Sequence, residues 1–121
     1  MKNDEFFEKS IALLDKCDES MDLIVCPESF DTPCYAGTKE ETEKAVAKYN
    51  KLMLDKASAT AKRCGALLFI NGKCQTPTGL RNTTYAFDKN GEIIGHYYKE
   101  HLVPNETNII GLDSDYTFEF T

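Results

Sequence analysis

Two charged residues, Glu28 and Lys99, have the clearest potential for chemistry in this sequence. Glu28 follows an apolar run within residues 22–30 (DLIVCPESF), and Lys99 lies in residues 97–104 (YYKEHLVP). A carboxylate and an ammonium at neighbouring strand ends can share one pocket, where the carboxylate moves a proton and the ammonium stabilises a developing negative charge. We therefore predict a shared pocket in which Glu28 is a general base, with a pKa that partial burial raises.

The stretch before Glu28 predicts a strand. Residues 23–26 are apolar at every position, which favours an interior, parallel strand covered on both faces. Pro27 has no N–H group to donate and ends the strand. Glu28 is then expected just past the carboxyl end of a central strand, where open α/β sheets bind ligands.

Two helices are predicted from periodicity and capping signals. Residues 4–17 carry apolar side chains at spacings of three and four, and residues 39–64 repeat that pattern over a longer stretch. Thr38 and Glu41 fit a capping box, and Gly65 suits the position just after the second helix.

The remaining elements are predicted to be strands. Residues 66–71 form a second buried strand, and residues 72–79 form a polar loop. Residues 83–87 and 92–98 form a β-hairpin around Asn-Gly, and residues 117–120 start a further strand. The order of helices and strands indicates a mixed, layered α/β fold.

Composition bounds the class of protein. The chain has 121 residues, enough for one domain, and a net charge of −6, which argues against an electrostatic nucleic-acid binder. Its longest apolar run, residues 66–70, is too short to cross a membrane, and no secretory signal is visible. Five cysteines, an odd number, favour a reducing, cytoplasmic setting.

The residues around Glu28 and Lys99 resemble the glutamate and lysine motifs of the nitrilase superfamily, the carbon–nitrogen hydrolases. Around the lysine, the resemblance rests on an ordered series of short motifs: Arg81-Asn82-Thr83, Phe87-Asp88, Asn90-Gly91, Tyr98-Lys99 and His101 to Pro104. It implies an α/β fold that is a partial nitrilase-like α-β-β-α sandwich, with residues 1–121 as one incomplete carbon–nitrogen hydrolase domain. It also implies a homo-oligomer in the full-length form.

The resemblance implies a set of catalytic residues. Glu28 would move protons, Lys99 would stabilise the tetrahedral intermediate, and a cysteine thiolate would attack the carbon of an amide, carbamoyl or nitrile substrate. Glu106 is the best candidate for a second glutamate and Glu100 the weaker one, although an exposed loop acid explains Glu106 equally well. No metal or organic cofactor is implied. His96 and His101, with no Cys-x-x-Cys or paired carboxylates nearby, do not make a zinc site.

No cysteine follows Cys74, whereas the family nucleophile lies downstream of the lysine. Cys26 is expected to be inert inside a strand, Cys64 lies at a helix C-terminus, which disfavours a thiolate, and Cys34 has a small chance. The chain is therefore expected to be part of such an enzyme, with little or no turnover by itself. Two alternatives stay open: a non-catalytic nitrilase-like interaction module, and an unrelated α/β domain with Glu28 and Lys99 on its surface.

Overall fold

A computed structural model describes residues 3–31 and 38–100, and the backbone of residues 118–120. Two helices and five strands lie within these residues. In chain order they are α1 (Asn3–Leu14), β1 (Leu23–Val25), α2 (Lys39–Cys64), β2 (Leu67–Thr76), β3 (Gly79–Phe87), β4 (Ile93–Tyr98) and β5 (Phe118–Phe120). The predicted mixed α/β fold is confirmed.

Both predicted helices are present, and the caps of α2 are the ones that the sequence indicates. The Thr38 side chain accepts a hydrogen bond from the Glu41 backbone N–H at 3.2 Å, which satisfies a donor left free at the helix start. Gly65 has a φ of 64°, and its N–H bonds to the carbonyls of Ala61 and Lys62. These local interactions therefore define both ends of α2.

The strands form one sheet in the order β1-β2-β3-β4-β5. β1 pairs with β2 in parallel, and the other neighbours are antiparallel. The predicted parallel pairing is confirmed, but the predicted interior position is not, because among the described strands β1 pairs with β2 alone. Only Ile24 is buried, whereas Leu23 and Val25 are 55% and 67% exposed, so the apolar run does not reflect cover on both faces.

The predicted loop over residues 72–79 is wrong. β2 continues to Thr76, β3 begins at Gly79, and the two pair without interruption from Leu68↔Phe87 to Thr76↔Gly79. Polar residues such as Lys73 gave this segment the composition of a loop, but Lys73 is buried. The result is a long hairpin, named here the β2–β3 hairpin (residues 67–87).

The predicted hairpin, β3–β4, is confirmed, and so is the short strand near residue 118, β5. At the β3–β4 turn, Gly91 has a φ of 81° and its N–H donates to the Asp88 carbonyl at 2.9 Å. The Asp88 carboxylate also accepts from the backbone N–H groups of Asn90 and Glu92. This turn directs β4 back along β3, so that Lys99 follows the end of β4.

The two helices and one face of the sheet enclose the core. Alternate residues of the β2–β3 hairpin point into it and meet small and apolar side chains of α2. The main members are Phe7, Leu14, Tyr49, Met53, Ala57, Ala61, Leu68, Ile70, Tyr85 and Phe87. The intervening residues of the hairpin lie on the opposite face, which carries the site described below. No helix within the described ranges has the length and apolarity needed to cross a bilayer.

Gly72 lies at a close approach of the sheet, α2 and the segment after β1. A Cβ atom there would lie 2.7 Å from Met53 Cε and 3.0 Å from Asp31 Cγ. We expect Gly72→Ala to lower the free energy of unfolding by about 1–3 kcal/mol, because the added methyl overpacks this contact. Urea denaturation measures the change.

The matched background for this test is Met53→Ala, which itself costs about 2–5 kcal/mol. It removes the thioether that the new methyl would meet, so Gly72→Ala should cost less there than in the wild-type chain. An equal cost in both backgrounds would contradict the proposed contact.

Candidate functional site

Glu28 is positioned by a segment that leaves β1 and is fastened to β2 through Asn71. The Ser29 backbone N–H donates to Asn71 Oδ1 at 2.8 Å, and the Phe30 N–H donates to the Asn71 carbonyl at 3.0 Å. Both bonds involve one buried residue of β2, 8% exposed. Asn71 therefore places the backbone on the carboxyl side of Glu28 against the sheet.

Two further features shape the same segment. The Asp31 carboxylate, fully buried, accepts the Lys73 backbone N–H at 2.8 Å, which extends the attachment along β2. Ser29 has a φ of 58°, a left-handed conformation that is costly for a residue with a side chain. The sharp turn after Glu28 is thus strained backbone held by the bonds on either side.

Lys99 is positioned by the pairing of β3 with β4. Thr83 pairs with Tyr98, and one residue further the Lys99 N–H donates to the Asn82 carbonyl at 2.8 Å. The ladder therefore continues to Lys99 and fixes the start of its side chain beside Asn82.

The carboxylate of Glu28 and the ammonium of Lys99 are in contact. Lys99 Nζ lies 3.0 Å from Glu28 Oε2, and the Asn82 side-chain amide donates to the same oxygen at 2.9 Å. The side chains of Glu28 and Lys99 are 54% and 29% exposed. The expectation that these two residues share one pocket is met.

The two residues line a cavity of about 310 Å³ on the sheet face opposite the helices. Apolar walls and a few polar groups at one end are typical of sites that bind small molecules. The lining residues are Val25, Cys26, Glu28, Phe69, Asn71, Asn82, Thr84, Tyr97 and Lys99. This volume is suited to a small substrate.

The expected direction of the Glu28 pKa is wrong. The hydrogen bond from Lys99 is the largest influence and lowers the pKa of Glu28, and the Asn82 amide and the charge of Lys73 lower it further. Burial opposes them but is weaker, because the carboxylate is half exposed. Glu28 is therefore ionised at neutral pH, in the form that accepts a proton.

Asn71, Asn82 and Lys73 are the site residues that sequence reasoning missed. The Asn82 side chain reaches Glu28. The only sequence signal for Asn71 and Lys73 is their spacing, because they are polar residues two positions apart, and alternate residues of a strand lie on the same face. Their pairing across the β2–β3 hairpin brings both next to Asn82 and Thr84.

The described cysteines offer no activated thiol at this site. Cys17, Cys26, Cys64 and Cys74 are free. Cys26 lines the cavity, but burial, and secondarily Cys17, raises its pKa to about 12, which fits the expected inert role. Cys74 lies in β2 rather than in the loop expected for it.

Several predicted residues lie outside the described part of the chain, namely Cys34, His101 and Glu106. Glu100 is described and directly follows Lys99. Among the side chains of residues 4–31 and 38–100, no three His, Cys, Asp or Glu groups converge in a way that could hold a metal ion.

Comparison with known proteins gives one family and one fold. The sequence model of the carbon–nitrogen hydrolase family matches residues 2–120. No curated protein matches the chain.

Among solved structures, a carbon–nitrogen hydrolase from Helicobacter pylori G27 is similar with a TM-score of 0.68 and 19% identity, over 89% of this chain and 38% of its own. XC1258 from Xanthomonas campestris, a CN-hydrolase superfamily protein, matches with a TM-score of 0.66 and 21% identity, over 88% and 38%. An amidase from Nesterenkonia sp. AN1, as its E41Q mutant, matches with 0.56 and 17%, over 90% and 42%. The predicted fold class is thereby confirmed, and the chain spans about two fifths of the length of these proteins.

The lowered pKa of Glu28 predicts a pH-dependent contribution to stability. The unfolded chain, with a glutamate pKa near 4.5, takes up this proton at higher pH than the folded chain. The contribution of ionised Glu28 is therefore complete above that value and is lost as the pH falls through the lower, folded pKa. We expect the difference in melting temperature between wild type and Glu28→Gln to be constant from neutral to weakly acid pH and to narrow below about 4.5.

The control is Glu40→Gln, which removes one exposed carboxylate of an i,i+4 pair with Lys44 on α2. This variant measures how the loss of one exposed negative charge changes the melting temperature at each pH. If the difference in melting temperature between wild type and Glu28→Gln widened as the pH falls, the assigned lowering of the Glu28 pKa would be contradicted.

Proposed function

Because the chain belongs to the carbon–nitrogen hydrolase family, we propose that its cavity takes part in hydrolysing a non-peptide carbon–nitrogen bond. The substrate class is a small amide, carbamoyl compound or nitrile. One observation carries the proposal: Glu28 and Lys99 meet at 3.0 Å in a cavity with apolar walls. Such a pair supplies a proton acceptor and a fixed positive charge at the same point.

Glu28 is the general base and acid in this proposal. Its lowered pKa keeps it ionised before reaction, so it accepts the proton of an attacking thiol. The thiolate sulfur then bonds to the substrate carbon. Glu28 returns the proton to the nitrogen as the carbon–nitrogen bond breaks, and water hydrolyses the resulting thioester.

Lys99 stabilises the negative charge that develops on the substrate oxygen, or on the nitrogen of a nitrile. An ammonium has three N–H groups, and one of them is directed to Glu28 Oε2. Its position is set by the sheet before substrate binds, so no reorganisation is needed when the charge develops.

The nucleophile in this proposal is a cysteine that is not among the described residues. The described thiols lie in the core or in strands, and that of Cys26 is protonated at neutral pH. We propose accordingly that the 121 residues form one incomplete catalytic domain with little or no turnover alone, and that the full-length protein is a homo-oligomer. Glu106 as a second catalytic glutamate and a reducing, cytoplasmic setting are part of the same proposal.

The protonated Cys26 thiol in the cavity favours a second candidate function, a non-catalytic interaction module. The two candidates differ in turnover. Ammonia release from a panel of small amides and nitriles, measured with the longest polypeptide that the gene encodes, separates them. No release from any substrate would favour the module.

If the longest polypeptide is active, Glu28→Gln and Lys99→Met should each lower kcat/KM by about 10²–10⁴-fold, because each removes a group that acts in the transition state. Steady-state ammonia release measures the change, and circular dichroism verifies the fold of each variant.

Glu40→Gln and Lys44→Met are the matched controls. They make the same two chemical changes on the exposed surface of α2, and the two residues form a surface ion pair of their own. Their kcat/KM should equal that of the wild type. Full activity in Glu28→Gln would refute the assignment of the base.

A further inference from the structure

The two oxygens of the Glu28 carboxylate have different surroundings. Both recorded hydrogen bonds, from Asn82 Nδ2 and Lys99 Nζ, end on Oε2. Within the described residues, Oε1 accepts none. We infer that Asn71 and Asn82 are positioning residues that confine the exchangeable proton of Glu28 to Oε1, an inference that rests on the proposed role of Glu28 as the base.

The orientation of the two amides follows from a backbone group that can only donate. The Ser29 N–H bonds to the Asn71 side chain at 2.8 Å, so the atom that it reaches must be the Asn71 oxygen. Asn71 Nδ2 is then directed at the Asn82 side chain, at 2.6 Å, and at Thr84 Oγ1, at 3.0 Å.

The same reasoning extends to Glu28. The atom of Asn82 that faces Asn71 Nδ2 must be its oxygen, so Asn82 can present only its N–H₂ group to the carboxylate. Asn71 and Asn82 are 8% and 4% exposed, and a reversed amide would leave buried polar atoms facing like partners. The two residues therefore form a one-directional amide relay, from Ser29 N–H through Asn71 and Asn82 to Glu28.

The relay restricts where a proton can sit. A carboxylic acid with its proton on Oε2 would direct an O–H group at Asn82 Nδ2 and Lys99 Nζ, which are both donors without a lone pair to offer. With the proton on Oε1, Oε2 stays a carbonyl-type oxygen and keeps accepting from both. Oε1 is therefore the oxygen that takes the proton from the nucleophile and returns it to the leaving group.

The relay also differs from a merely structural role of the amides. If Asn82 only fastened the segment after β1, its loss would lower stability and leave the acidity of Glu28 unchanged. If Asn82 instead positions Glu28 and favours its ionised form, the loss of Asn82 must raise the pKa of the Glu28 carboxyl, because one of the hydrogen-bond donors to the carboxylate is removed.

The experiment is a carboxyl-carbon NMR titration of the full 121-residue chain, with the Glu28 signal assigned by its disappearance in Glu28→Gln. We expect the pKa of Glu28 to rise in Asn82→Leu. It should also rise in Asn71→Leu, although Asn71 does not touch the carboxylate, because Asn82 then loses its fixed orientation. The Phe30 N–H still bonds to the Asn71 backbone carbonyl in that variant, so the segment stays attached.

The double variant separates the relay from independent effects. The relay has Asn71 act on the Glu28 pKa through the orientation of Asn82, so the pKa in Asn71→Leu/Asn82→Leu should equal that in Asn82→Leu alone. Additive shifts, or an unchanged pKa in Asn82→Leu, would overturn the relay. The matched control is Asn50→Leu, which removes a part-buried amide that donates to the Lys73 carbonyl from α2 and should leave the Glu28 pKa unchanged.

A measurement on the wild-type chain needs no substitution and holds even where a variant fails to fold. The NMR signals of the Asn82 side-chain N–H₂ group should shift at the pH where Glu28 titrates. Below that pH they should remain protected from hydrogen exchange, because Glu28 Oε2 still accepts their hydrogen bond. Loss of protection when Glu28 is protonated would overturn the inference. None of these readouts depends on turnover, so a lack of ammonia release by the longest polypeptide that the gene encodes would refute the proposed function and leave the relay standing.

Discussion

The hydrogen bond from the Ser29 backbone N–H to the Asn71 side chain is the contact on which the site depends. It joins the segment after β1 to the neighbouring strand β2, and it does so from the residue next to Glu28. Because a buried amide cannot be left unpaired without cost, the same bond fixes how Asn71 faces Asn82 and how Asn82 faces Glu28. One backbone hydrogen bond thus sets the orientation of the two amides, and through them the hydrogen bonding of the Glu28 carboxylate.

Attraction between Glu28 and Lys99 does not by itself explain their placement. The pair is partly exposed, and ion pairs of this kind contribute little to stability in water. Their separation is set instead by the β3–β4 ladder on one side and the Asn71 contacts on the other. The left-handed φ of Ser29 is a strain that these contacts sustain, as is common where a fold presents a reactive side chain.

The helices and the second hairpin were predictable because their signals are local. The capping residue Thr38, the left-handed Gly65 and the Asp88–Glu92 turn each act within five residues, so sequence neighbours decide the outcome. The juxtaposition of Glu28 and Lys99 was predictable for a different reason, a resemblance to motifs whose order along the chain was recognisable.

The errors arise where tertiary context overrides composition. The apolar run of β1 predicts an interior strand, but its cover depends on neighbours that a single sequence does not specify. Gly72 and Lys73 suggest a loop, yet the close approach of Met53 requires the glycine, and the lysine is buried in a paired strand. The Glu28 pKa depends on three donors or charges contributed by distant strands, so burial alone gave the opposite sign.

The continuity of the β2–β3 hairpin has a consequence for how the site assembles as the chain folds. Asn71 and Asn82 are 11 residues apart along the chain, whereas Asn82 is 54 residues from Glu28, and Lys99 is 71. Short-range hairpins form within microseconds, and contacts between distant residues form later because of the entropy of closing a long loop. The amide pair can therefore form early in folding, and the contacts of Glu28 with Asn82 and Lys99 form later.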